Sequence, residues 1–144
     1  YPVFDVTAHV LDGKEHAVDS KPIAFEIAAR QVFKEAFSQA SPMLLEPIYQ
    51  FTIVVPEANA GDVMGSLKTK RGQIMNMDQK GNKTIIIAQA PLAEMQRYST
   101  DLRSITQGRG YFEMAFDHYA TVPSNIAQPL IAKYKAEHGG KEEE

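Results

Sequence analysis

The chain has no cysteine, and that single absence removes disulfides, thiolate catalysis and cysteine-based zinc sites together. It also lacks a phosphate-cradling glycine loop of the Walker type, so it hydrolyses no nucleotide by that route. Neither a GxSxG elbow nor an HExxH pair occurs. The four histidines, His9, His16, His118 and His138, are too scattered along the sequence to define a metal cluster. No stretch approaches the ~20 apolar residues of a membrane-spanning helix. The start, Tyr1-Pro2-Val3-Phe4, has no charged region leading into an apolar core and does not read as a signal peptide. The missing initiator methionine reads as the sign of a piece of a longer chain. Positive charge is not in excess either. The formal net charge of −3 excludes a uniformly basic nucleic-acid binder and leaves any RNA contact to local patches.

What is present suffices for folding. The 144 residues, 44% apolar and 23% charged, allow one ordinary domain or two small ones. Residues 2–10 alternate loosely, with valines, a phenylalanine and a threonine, and predict a strand. Asp12-Gly13 signals a turn. Asp19 or Ser20 is then placed to cap a helix that has Pro22 in its first turn. Phe25, Ala29, Val32, Phe33, Ala36 and Ala40 form the apolar stripe of that helix, with Glu26, Arg30 and Lys34 opposite. Ser41-Pro42 ends it, because a residue before proline disfavours helix.

Beyond residue 42 the rhythm changes. Residues 48–55 read as a strand closed by Pro56, and residues 60–70 as a short helix with Val63, Met64 and Leu67 inward. Gly72 breaks that helix before a strand over 73–77. Lys80-Gly81-Asn82 is a hairpin turn into 84–90, where Ile85-Ile86-Ile87 predicts a strand buried on both faces. Pro91 opens a single helix striped by Leu92, Met95, Leu102 and Ile105. Gly108 caps it, and residues 111–116 form the last strand. The order β-α-β-β-α-β is the ferredoxin-like plan. A final helix over 125–135 starts behind Ser124 as its cap, with Pro129 expected to kink or shorten it. Gly139-Gly140-Lys141-Glu142-Glu143-Glu144 is expected to fray. The leading strand and helix cannot close a core alone, since each needs a partner layer. Residues 1–42 therefore dock on the unit that follows or are the surviving half of a domain.

Three features carry candidate chemistry. His16, beside Lys14 and just past Gly13, is an exposed loop histidine or a recognition tip, since imidazole both stacks on bases and hydrogen-bonds them. Lys68, Lys70 and Arg71 at a helix end, with Arg103 and Arg109 near the next, are either solvated cations complementing the helix dipole or phosphate contacts. Gln107-Gly108-Arg109-Gly110 allows close approach to another surface or simply caps a helix. The aromatic set Tyr111, Phe112, Phe116 and Tyr119 lacks the order of an RRM platform and reads as core.

Specific strings add a resemblance. Tyr1-Pro2-Val3, Asp12-Gly13 with His16, Val18-Asp19-Ser20 and Ala24-Phe25 resemble the fourth domain of elongation factor G. Leu44-Leu45-Glu46-Pro47-Ile48 resembles the passage into its fifth domain. Gly61-Asp62-Val63-Met64-Gly65, Arg71-Gly72-Gln73-Ile74, Pro91-Leu92-Ala93-Glu94-Met95, Thr100-Asp101-Leu102-Arg103-Ser104 and Gln107-Gly108-Arg109-Gly110 are similar to that fifth domain. Val122-Pro123-Ser124-Asn125 and Ile126-Ala127-Gln128 are similar to the family's ending. The sequence departs from the family pattern at Glu15, where an aromatic residue is usual, at Arg97 and at Ala58-Asn59-Ala60.

The resemblance implies an α+β chain: a partial βα unit of a ribosomal-protein-S5-like domain, then a ferredoxin-like sandwich. Residues 1–42 would be the end of domain IV, 43–123 domain V, and 124–144 a C-terminal helix and flexible tail. It implies a cytoplasmic, monomeric piece of a translational GTPase that acts in translocation. GTP and magnesium would be bound elsewhere in the parent, with no cofactor, metal or catalytic residue here. Its partners would be the ribosome, at the small-subunit decoding region and the large-subunit factor-binding region, and the tRNA–mRNA pair. Gly13, Lys14 and His16 would lie at the tip entering the decoding region, and Lys70, Arg71, Arg103 and Arg109 would contribute to the large-subunit contact. A recycling or ribosome-protection paralogue and a freestanding ligand-sensing module are the competing expectations.

Overall fold

A computed structural model describes residues 1–138; the segment expected to fray, from Gly139 on, lies outside the described residues. The chain divides into two units, Tyr1–Pro42 and Met43 onward.

In the first unit the one regular element is helix α1, Pro22–Gln39. Residues 2–10 do not form the expected strand. Alternation supplies the side chains of a strand, but a strand exists only through ladder hydrogen bonds to a neighbour, and among the described residues the strand pairings do not include this segment. The expected cap is also absent. Lys21 is the N-cap, no side chain caps the helix, and Pro22 sits at its start. Ser20 instead turns back, its Oγ accepting from the His16 N–H at 2.5 Å. The apolar stripe is present, yet α1 buries none of its residues.

The second unit is a ferredoxin-like α+β sandwich. Strand β1 (Leu45–Pro56) leads through a 3-10 turn (Glu57–Asn59) into α2 (Ala60–Thr69). The hairpin of β2 (Gln73–Lys80) and β3 (Lys83–Pro91) follows, then α3 (Leu92–Met95), α4 (Tyr98–Thr106), β4 (Tyr111–Thr121) and α5 (Ser124–His138). The sheet order is β2-β3-β1-β4, antiparallel throughout, so β3 is inserted between β1 and β2. The hairpin turns on Gly81 at φ 63°, a value that suits glycine in a two-residue loop.

The helices cover one face of this sheet. Phe51, Ile53 and Val55 of β1 and Ile86, Ala88 and Ala90 of β3 pack there against Val63 and Leu67 of α2, Met95 of α3, and Tyr98 and Leu102 of α4. Each large apolar side chain sealed in this way contributes about 1.5–3 kcal/mol. Ile85 and Ile87, on the opposite face, are only half-buried, so β3 is not sealed on both sides.

Other local expectations also shift. The stretch after Pro91 breaks at Gln96-Arg97 into two helices, although Met95, Tyr98 and Leu102 still turn to the core. Helix α5 runs through Pro129 and beyond. Pro123, not Ser124, opens it, its carbonyl accepting from the N–H groups of Ile126 and Ala127 at 2.9 Å each. Of the aromatic set, Phe112 joins the core, 5.6 Å from Phe51 and 5.7 Å from Tyr98 between ring centres. Tyr111, Phe116 and Tyr119 stay about half exposed.

Candidate functional site

The loop before α1 is built by short-range bonds. The Gly13 N–H donates to Asp12 Oδ1 at 2.7 Å, but the turn expected at Asp12-Gly13 is not formed; the turn lies at residues 17–19. His16 and Ser20 bind reciprocally: the Ser20 N–H donates to the His16 carbonyl at 3.2 Å, and Ser20 Oγ accepts from the His16 N–H. The backbone at His16 is therefore braced, while its imidazole has no hydrogen-bond partner among the described residues. Lys14, His16, Asp19, Ser20 and Phe25 line a shallow concavity of about 180 Å³. An imidazole held out on a braced turn can stack or hydrogen-bond with whatever reaches it.

The second unit treats its basic residues unequally. Lys70 Nζ lies 2.9 Å from Asp101 Oδ2. Arg71 is engaged more heavily: Nη1 and Nη2 donate to Glu46 Oε1 and Oε2 at 2.7 and 2.9 Å, and Nε donates to Glu94 Oε1 at 3.2 Å. The Glu46 carboxylate holds the guanidinium pKa above its ordinary value against the opposing effect of burial, with Glu94 adding to it. These two cations are thus occupied inside the unit. Lys68 and Arg103 are exposed and have no ion-pair partner among the described residues. Arg109 is exposed too, its Nε donating to the Thr106 carbonyl at 3.3 Å.

The glycines flanking Arg109 have internal explanations. Gly108 adopts φ 79° at the end of α4. A Cβ at Gly110 would lie 2.8 Å from the Thr106 side chain and 3.0 Å from Val55. The close approach is therefore made to the protein's own core. Thr106 Oγ1 completes the joint by accepting from the Gly110 N–H at 2.8 Å while donating to the Leu102 carbonyl at 2.7 Å.

Sequence reasoning missed the acidic partners. Glu46 and Glu94 lie 25 and 23 residues from Arg71, and no local spacing marks them. It also missed a polar cluster on the sheet, where Gln89 Nε2 donates to Asp117 Oδ2 at 3.3 Å and His118 Nδ1 lies 2.5 Å from the same oxygen.

Comparison with known proteins bears on both units. Residues 43–130 match the family described as "Elongation factor G C-terminus", and residues 1–41 match "Elongation factor G, domain IV". An "Elongation factor G" from Aquifex pyrophilus is 50% identical over 136 residues, which is 94% of this chain and 20% of that protein. The chain thus spans about a fifth of the length of that curated relative. A crystal structure from Thermus thermophilus matches with a TM-score of 0.73 and 40% identity, over 85% of this chain and 18% of that one.

Proposed function

This chain belongs to the elongation factor G family, and on that premise we propose that it is the ribosome-engaging end of a translational GTPase that promotes tRNA–mRNA translocation. The observation that carries this reading is the braced turn at His16: a fixed backbone presenting an unengaged imidazole, in the region matched to domain IV. Gly13 and Lys14 shape the same tip. In the second unit Arg103 and Arg109, free of carboxylates among the described residues, supply the large-subunit contact. Lys70 and Arg71, whose charges are already met, do not.

The residues present do not fit GTP and magnesium. The sequence has no phosphate-cradling loop, and no group of three acidic or imidazole side chains converges among the described residues. On this reading the nucleotide is bound and hydrolysed by a part of the parent outside these 144 residues, and the chain acts mechanically. The site of action is then cytoplasmic, where the ribosome works. No helix among the described residues is long and apolar enough to cross a membrane. The chain's net charge of −3 makes its own attraction to RNA weak, since phosphate neutralisation supplies much of such affinity.

The test is His16→Ala in the full-length parent. Translocation on ribosomes slows by about tenfold or more, equivalent to ~1.4 kcal/mol of barrier, while nucleotide hydrolysis stays nearly intact. Unchanged translocation removes His16 from the mechanism. One observation favours a second reading: Glu15 sets a negative charge beside the tip, which suits a recycling or ribosome-protection paralogue. Release of post-termination ribosomes, assayed beside translocation, separates the two.

A further inference from the structure

Helix α2 ends in a Schellman arrangement. The Gly72 N–H donates to the Leu67 carbonyl at 2.7 Å and the Arg71 N–H to the Lys68 carbonyl at 3.3 Å. The left-handed position of this motif, normally glycine, is Arg71 at φ 55°. A side chain there is less favourable than glycine, so the local turn alone does not favour arginine. What the arginine gains is the three-point grip on Glu46 and Glu94, with Glu46 itself only 11% exposed at its side chain. With two carboxylates around one guanidinium, the cluster carries a net negative charge and repels phosphate.

The position of Glu46 gives this grip its meaning. It lies at the start of β1, just past Pro42, where the second unit begins. The same stretch is held by the Val122 N–H donating to the Leu44 carbonyl at 2.9 Å, and by pairing of Leu45 with Thr121 and Glu46 with Ala120. Strand ends held by so few backbone bonds are where local opening is easiest. We infer that Arg71 is a positioning residue: its bidentate clamp on Glu46, backed by Glu94, locks the root of β1. A displacement arriving along the chain from Pro42 then moves the sheet as a body and does not peel the strand end. The mechanical part of this inference rests on the translocase reading; the clamp itself does not.

Arg71→Gly is the informative variant, because it favours the left-handed turn while removing the clamp. Arg71→Gly combined with Glu46→Gln avoids leaving a half-buried carboxylate unpaired, and Arg71→Lys keeps the charge but loses the fork. In all three, amide exchange at Val122 accelerates by about tenfold, as expected for loss of charge-assisted bonds, while the Ile53 and Ile86 amides keep their protection. In the parent carrying Arg71→Gly, translocation slows with hydrolysis unchanged, and the salt dependence of ribosome binding keeps its slope. Unaltered exchange at Val122 overturns the clamp, and does so whatever the parent's activity proves to be. Slower exchange would overturn it too, showing that arginine served the turn badly and nothing else. A salt slope reduced by about one marks a phosphate contact and overturns the inference, as does loosened Val122 with undiminished translocation in a parent that His16→Ala impairs.

Discussion

Tyr98 shows how far one side chain reaches in a small core. It has no solvent exposure, yet its hydroxyl is only 3.4 Å from Ser66 Oγ. Burial raises the phenol pKa above its ordinary 10.0; the Ser66 hydroxyl offsets this in part, and the nearby Asp101 charge adds to it. The folded state therefore holds this proton more tightly than the unfolded chain does. Its contribution to stability is intact below pH ~10 and is lost as the pH climbs through and beyond that value. Tyr98→Phe removes this alkaline loss. The denaturant midpoint of the unsubstituted protein is therefore expected to fall relative to that of the variant as pH rises from about 8 toward 11, a window set by the phenol's ordinary pKa. A difference that stays constant shows that burial of Tyr98 has no electrostatic consequence. At this scale the sequence was readable for what a residue does locally and silent on its distant partners. Arg71 looked like a surface cation because nothing within its own helix end discloses Glu46 or Glu94.

Elements were legible where local chemistry and tertiary demand agree. β1, α2 and the hairpin were readable from β-branched runs, a short amphipathic stretch and Gly81, and the structure places all three in the expected order. Misreadings came from context. Three successive isoleucines look doubly buried, but only the face packed against α2, α3 and α4 is sealed. Residues 2–10 look like a strand, but alternation cannot provide a neighbour. Pro129 is expected to kink or shorten the last helix, yet α5 runs on to His138. Gly72 reads as a helix breaker, and its actual constraint is sharper: an added Cβ would sit 2.8 Å from the Leu67 carbonyl oxygen. That oxygen belongs to backbone already bound to the Gly72 N–H, so it cannot yield cheaply. Gly72→Ala is expected to destabilise the second unit by about 1–3 kcal/mol, read as a lower midpoint in urea unfolding with an unchanged slope. A neutral substitution would mean that the end of α2 is free to shift.

Over the whole molecule, stability is unevenly distributed. The core lies entirely in the second unit, whereas Phe25, Val32 and Phe33 of α1 remain 44–63% exposed. Most of a helix's stability in a protein comes from tertiary packing of its apolar face, and α1 buries none of its residues. Amides of α1 in the 144-residue chain are accordingly expected to exchange at least about a hundredfold faster than those of β1 and β3, as local opening requires far less than global unfolding. Equal protection in α1 and the sheet would contradict this division. The sheet itself has two outer strands, β2 and β4, and each pairs inward with a break in register: one extra residue at Met75 in β2 and one at Asp117 in β4. The central β1–β3 pairing has no such break. An extra residue twists a strand and spoils the flat row of donors and acceptors that another chain would need to add itself. These two irregularities act as guards against the joining of one sheet to the rim of another, and so against polymerisation in a crowded solution.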